Sequence, residues 1–176
     1  MSRILNLTTP LSEADVRNLN AGDLVKLSGV IYTGRDAAHK RLCAALANGE
    51  QLPVDLDGQL IYFVGPCPAP PGRVIGSAGP TTSGRMDAYS PILIEKCSLR
   101  GMIGKGDRNQ AVKDAMVKYG AVYFAATGGA GALIARSIVK ADVVAFDDLG
   151  PEAIYRLEVK DLPLVVAIDA NGKSLY

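Results

Sequence analysis

The chain has 176 residues, 48% hydrophobic and 21% charged, which is enough apolar material for one domain with a sizeable core. These proportions exclude collagen-like, disulfide-scaffold and wholly disordered chains. Nineteen Lys+Arg against eighteen Asp+Glu leave a formal charge of +1, without the broad positive field on which nucleic-acid or acidic-lipid binding rests. Any anion bound here is caught locally.

The three cysteines, Cys43, Cys67 and Cys97, include no close CxxC pair of the kind zinc sites and redox motifs use, and a reduced cytoplasm fits them. No apolar stretch approaches the roughly 20 residues of a membrane span. Pro10 and early charges break the start before a signal-peptide core forms, so a cytosolic, soluble and complete chain is expected.

In chain order, Ser12 with Glu13 and Asp15 marks the capped start of a short helix in an otherwise irregular opening. Residues 24–32 have the β-branched, partly alternating character of a strand, and the segment RDAAHKRLCAALANG then carries Ala38, Leu42, Ala45 and Leu46 at helical spacing up to Gly49. A second strand over 60–65 precedes a proline- and glycine-rich stretch, which reads as a long surface loop. From Arg85 a helix is expected, interrupted or restarted near Pro91. Further strands are expected at 101–104, 121–126, 143–146 and 164–168, and helices at 109–118 and 130–139. This alternation predicts an α/β sandwich with a partly parallel sheet, and Asn171-Gly172 predicts a hairpin turn joining added strands.

Three glycine-flanked segments place cations or hydroxyls at the ends of these elements, where loops carry function. In TGRDAAHKR, Arg35 follows a strand and Asp36 stands at the start of the helix that carries His39; the plain alternative is a helix cap plus a surface histidine. In GPTTSGRMD, Thr81 and Thr82 follow a tight turn at an expected helix start, which favours carboxylates and phosphates, and Arg85 can return to grip one. The alternative there is a threonine cap with a solvated arginine. In IGKGDRN, Lys105 lies between two glycines, where the backbone approaches a ligand closely, although a surface lysine reads the same way. Three cationic turns in a near-neutral domain suit a small polyanion such as a dicarboxylate. GGAGALI lacks the last small residue of a dinucleotide fingerprint and is read as close helix packing, and IGKGD is not a P-loop.

Taken together and in order, TGRDAAHKRL, LPVDL, IYFVGP, GPTTSGRMD, MIGKG, ATGGAGALIA and DLGPEAIYRLEV resemble the carboxy-terminal half of iron–sulfur class I fumarate hydratases, from about Gly22 to the end. In many bacteria and archaea that half is a separate β subunit. The resemblance implies a single domain over 1–176 with the swivelling β/β/α fold, and reversible addition of water to fumarate giving L-malate. It also implies a [4Fe–4S] cluster whose open iron acts as Lewis acid and whose cysteine ligands belong to a partner α subunit in an α2β2 assembly. No metal ligand is then expected here, and Cys43, Cys67 and Cys97 are core or surface thiols.

By the same resemblance Arg35, Thr82, Arg85 and Lys105 grip substrate carboxylates and Thr81 is the base, with Asp36 and His39 completing the catalytic group. A threonine hydroxyl needs activation for that work, and the neighbouring cations are expected to supply it. L(+)-tartrate dehydratase β subunits share GPTTS and GKG but tend to carry a bulkier, cysteine-containing first motif; mesaconate hydratases keep nearly all the motifs. A non-catalytic anion-binding or regulatory domain is the reading from another class. The loop over 67–79 is expected to form part of the subunit interface.

Overall fold

The computed structural model describes residues 3–126 and 131–176. The elements in order are β1 (Ile4–Thr8), α1 (Glu13–Arg17), β2 (Leu24–Thr33), α2 (Asp36–Ala47), β3 (Leu60–Tyr62), a 3₁₀ turn (Ser83–Met86), α3 (Ser90–Cys97) and β4 (Gly101–Gly104). They continue with α4 (Gln110–Tyr119), β5 (Val122–Ala125), α5 (Gly131–Arg136), β6 (Ile138–Ala145), a second 3₁₀ segment (Asp147–Glu152) and β7 (Ile154–Ile168).

Strands β1 to β5 pair in parallel in sequence order, and β7 runs antiparallel to β2, β5 and β6. Because β7 bonds both β5 and β2, the strands β2, β3, β4, β5 and β7 close into a small ring. Val165 pairs with Leu24 of β2 and Ala125 of β5, while Leu157 pairs with Ile31 of β2 and Ala141 of β6. The opposite edge of β7 from β2 is thus shared by β6 and then β5. Closure leaves β1 and β6, each paired on one side only, as the edge strands among the described residues.

The apolar run around β3 is explained by burial on both faces, as parallel strands require. Alternation sorts Leu60, Tyr62 and Val64 into the cluster that fills the ring with Leu27, Ile31, Ile103, Phe124, Leu157 and Leu164. Ile61 and Phe63 face the other way, into a second cluster with Leu42 of α2, Leu93 of α3 and Met116 of α4. Ser12 caps α1, with Asp15 reciprocating, and Asn109 caps α4 by accepting from Val112 N at 3.0 Å.

Several expectations are revised. The sheet closes on itself rather than forming an open sandwich layer, because β7 is long enough to reach both β2 and β5. The expected strand over 164–168 is only its last part: a bulge in β7, where Lys160 and Asp161 oppose Ser28 of β2 and Asp161 N donates to Ser28 Oγ at 3.0 Å, carries the pairing through the turn-like KDLP stretch. The expected helix over 130–139 is the shorter Gly131–Arg136, since β-branched Ile138 pairs with Val159 of β7 and Val139 lies in strand β6; the first residue of the expected helix, Ala130, lies outside the described residues. Correspondingly, the strand expected at 143–146 begins at Ile138. β1, read as irregular, pairs with β2 in register from Ile4 to Thr8. Helix α3 restarts at Ser90 with Pro91 in its first turn, and the Asn171-Gly172 turn closes only an isolated Ile168–Ser174 bridge. No helix among the described residues is long and apolar enough to cross a membrane.

Candidate functional site

The three segments converge on one rim, at the carboxyl ends of the parallel strands β2, β3 and β4. At the end of β2, Gly34 N donates to Tyr62 O at 3.0 Å, and Arg35 keeps extended backbone as the residue before α2. The Arg35 carbonyl accepts from both His39 N (3.0 Å) and His39 Nδ1 (2.8 Å), so Nδ1 carries the imidazole proton. The side chain of Arg35 runs across Gly65, where a β-carbon would come within 3.1 Å of its Cδ and 3.2 Å of its Nη1. Its Nε is buried without a partner among the described residues.

His39 is not a surface histidine. It is 0% exposed, edge-on to Phe63 at 5.3 Å between ring centres, and its Nε2 has no partner among the described residues. Burial, with help from the Arg108 charge, pushes it down to about 4, against the pull of the Arg35 carbonyl, so the ring is neutral at pH 7. It lies beneath the rim and reaches it through Arg35. Asp36 is the first residue of α2 rather than its cap. It points outward to Arg85, whose Nη2 donates to Asp36 Oδ1 at 3.1 Å.

Thr81 and Thr82 lie over the ends of β3 and β4, just before the 3₁₀ turn that begins at Ser83. Thr81 N donates to Phe63 O at 2.8 Å, Thr82 bridges in parallel to Lys105, and Ser83 N donates to Lys105 O at 2.9 Å. The expected helix start at Thr81 and Thr82 is therefore a 3₁₀ turn of four residues, and Thr82 precedes it without a side-chain cap. The backbone here is committed to neighbouring strands rather than to a full helix. The Thr81 hydroxyl and the Lys105 ammonium make no side-chain hydrogen bond among the described residues.

Side chains that the motif reading did not single out hold this segment. Ser83 Oγ donates to Tyr123 OH at 2.7 Å, and Tyr123 OH donates on to Gly106 O at 2.7 Å. Gly104 permits the contact, since a β-carbon there would collide with Ser83 Oγ. Upstream, Tyr62 OH donates to Ala78 O, and Ala78 N donates to Gly131 O at 3.2 Å. A β-carbon on Gly131 would press into the Gly79 backbone, so this glycine of GGAG serves close packing, as expected, with its neighbour Gly129 lying outside the described residues. Arg108, 3% exposed, pairs with Asp87 at 2.6 Å; burial draws its guanidinium below the ordinary value, opposed by that carboxylate. Nothing local in the polar run GDRN marks Arg108 as buried.

The rim thus gathers guanidinium groups, an ammonium, two threonine hydroxyls and one carboxylate, a set suited to binding carboxylates and moving a proton beside them. A cleft of about 520 Å³ lined by Leu46, Glu50, Asp55 and Lys96 shares none of these residues. Burial pushes the Cys43 thiol up to about 11 and raises Cys97, while Cys67 is exposed. Among the described residues no group of three or more His, Cys, Asp or Glu is placed to hold a metal ion.

The chain is 42% identical over 171 residues to a protein of Methanocaldococcus jannaschii named as an L(+)-tartrate dehydratase subunit beta, covering 94% of this chain and 88% of that one. It is 37% identical over 175 residues to the aerobic class I fumarate hydratase of Escherichia coli, covering 98% of this chain and 32% of that one. Fumarate hydratase 2 of Leishmania major is 37% identical over 156 residues, covering 88% and 28%. The chain therefore spans about a third of the length of the fumarate hydratases it matches. The family described as Fumarase C-terminus matches residues 1–176, and the chain belongs to that family.

Proposed function

We propose that this chain is the β subunit of a two-subunit class I hydro-lyase that hydrates fumarate reversibly to L-malate, using the swivelling β/β/α domain of that family. The observation that carries this reading is the convergence of Arg35, the 81–85 segment and Lys105 at the ends of three adjacent parallel strands. Relatives named fumarate hydratase and tartrate dehydratase support it.

In this reading Arg35, Thr82, Arg85 and Lys105 bind the two carboxylates. Thr81 Oγ1 takes the proton from the carbon beside one of them, and Asp36 orients Arg85. The positive charges of Arg85 and Lys105 reduce the cost of negative charge on Thr81 and on the carboxylate as the carbanion-like state forms. His39 holds the Arg35 backbone from below. The [4Fe–4S] cluster belongs to the partner α subunit, the assembly is α2β2, and the protein works in the cytoplasm, where its free thiols stay reduced.

A second reading, tartrate dehydratase β subunit, is favoured by the relative of that name, which matches this chain over most of both lengths. The test is an anaerobic assay of this chain alone and with a cluster-loaded α subunit from the same source, with fumarate, tartrate and mesaconate in parallel. Turnover only in the mixture and highest with fumarate supports the first reading; preference for tartrate or mesaconate moves the substrate. Silence with every diacid, given a verified cluster and complex, favours an anion-binding domain.

A further inference from the structure

Arg108 contributes nothing to the rim directly, and its side chain has no exposed surface. A buried guanidinium is costly unless every donor is used, and here the fork is divided among several elements. Its Nε donates to Asp87 Oδ1 at 2.6 Å and its Nη2 to Ser90 Oγ at 2.6 Å, and its carbon lies 5.1 Å from the ring centres of both Phe63 and Tyr123.

Each partner leads to the rim. Asp87 N closes the 3₁₀ turn that carries Arg85, donating to Gly84 O at 3.2 Å, and Asp87 Oδ2 accepts from Asn109 N at 2.9 Å on the far side of the Lys105 turn. Phe63 O holds Thr81 N, while Tyr123 OH joins Ser83 to Gly106. Thr81, Arg85 and Lys105 are therefore tied to one cation, Arg108, which lies in IGKGDRN and has no assigned role in the anion reading.

We infer that Arg108 is a positioning residue, which locks the 81–87 segment to the 104–109 turn and so sets where Thr81, Arg85 and Lys105 stand. Its catalytic consequence rests on the function proposed above; the locking does not. Lysine at this position keeps the charge but cannot bond Asp87 and Ser90 in one plane between two rings.

The test uses Arg108→Lys and Ser90→Ala in the full chain assembled with its cluster-bearing partner. Arg108→Lys is expected to lower kcat/KM for the diacid, per folded site, about 100-fold, and Ser90→Ala, which leaves the ion pair whole, about tenfold. Amide hydrogen exchange is expected to rise within 81–87 and 104–109 and to stay at the wild-type rate in β2 and β7. A cation that serves stability alone lowers the unfolding midpoint while kcat/KM per folded site and exchange in both segments stay at wild type, and that result overturns the proposal. Where Arg108→Lys does not fold, Ser90→Ala decides by the same readouts. If the wild-type complex turns over no diacid, the functional reading fails, and the exchange pattern still decides whether Arg108 locks the two segments.

Discussion

Asp36 Oδ1 accepts a hydrogen bond from Arg85 Nη2 at 3.1 Å, joining the first residue of α2 to the turn beyond Thr82 across 49 positions of chain. Both side chains are about half exposed, at 50% for Arg85 and 42% for Asp36, so water screens the pair and it contributes little to stability. Its value is orientation, because the guanidinium stands at the rim with a carboxylate already on one nitrogen. Arg85→Lys keeps the charge and loses the fork; KM for the diacid is expected to rise about tenfold, with stability changed by less than about 1 kcal/mol. Steady-state kinetics and urea unfolding of the same preparation check both.

Thr81 is held by its backbone, with N bonded to Phe63 O, so its side chain can be shortened without releasing the segment. Thr81→Ala is expected to abolish turnover while substrate affinity stays within a few-fold of wild type. Near-normal turnover would remove Thr81 from the role of base.

Gly104 lies so close to Ser83 and to the Phe63 ring that a methyl group has no room. Gly104→Ala is expected to cost about 1–3 kcal/mol and to push the 82–83 backbone off Lys105. Adding Ser83→Ala should recover part of that loss, and a double-mutant cycle in denaturant measures the recovery.

His39 is held neutral in the folded protein, at about 4, against an ordinary value of 6.5. The unfolded chain therefore binds more protons between these values, and stability is full above about pH 6.5 and falls on acidification toward pH 4. That shift corresponds to an upper bound of about 3 kcal/mol. Unfolding free energies from pH 7 to pH 4 should show a slope that His39→Gln reduces; equal slopes would contradict the assignment.

Cys67 is exposed, whereas burial raises Cys43 to about 11 and also raises Cys97. Alkylation near neutral pH followed by mass spectrometry should mark Cys67 first. Early modification of Cys43 would show that α2 opens.

Local chemistry announced much of this. Ser12 with Asp15 stated the α1 cap, the apolar run after Gln59 stated a strand, and glycine-flanked Arg35, Arg85 and Lys105 stated cations at the ends of elements. The opening strand β1 was hidden, because its burial alternates only between exposed and half-buried positions and leaves a weak pattern.

What the sequence by itself determined is therefore the identity of the rim residues and the elements that carry them, since caps, turns and side-chain periodicity are written within a few residues of one another. Only the tertiary structure decided that β7 closes the ring, that His39 lies beneath Arg35 rather than on the surface, and that Arg108 sits buried between Phe63 and Tyr123. Those outcomes depend on partners that are far apart in the chain. A side chain's exposure and charge state follow from what folds over it, which no local window contains.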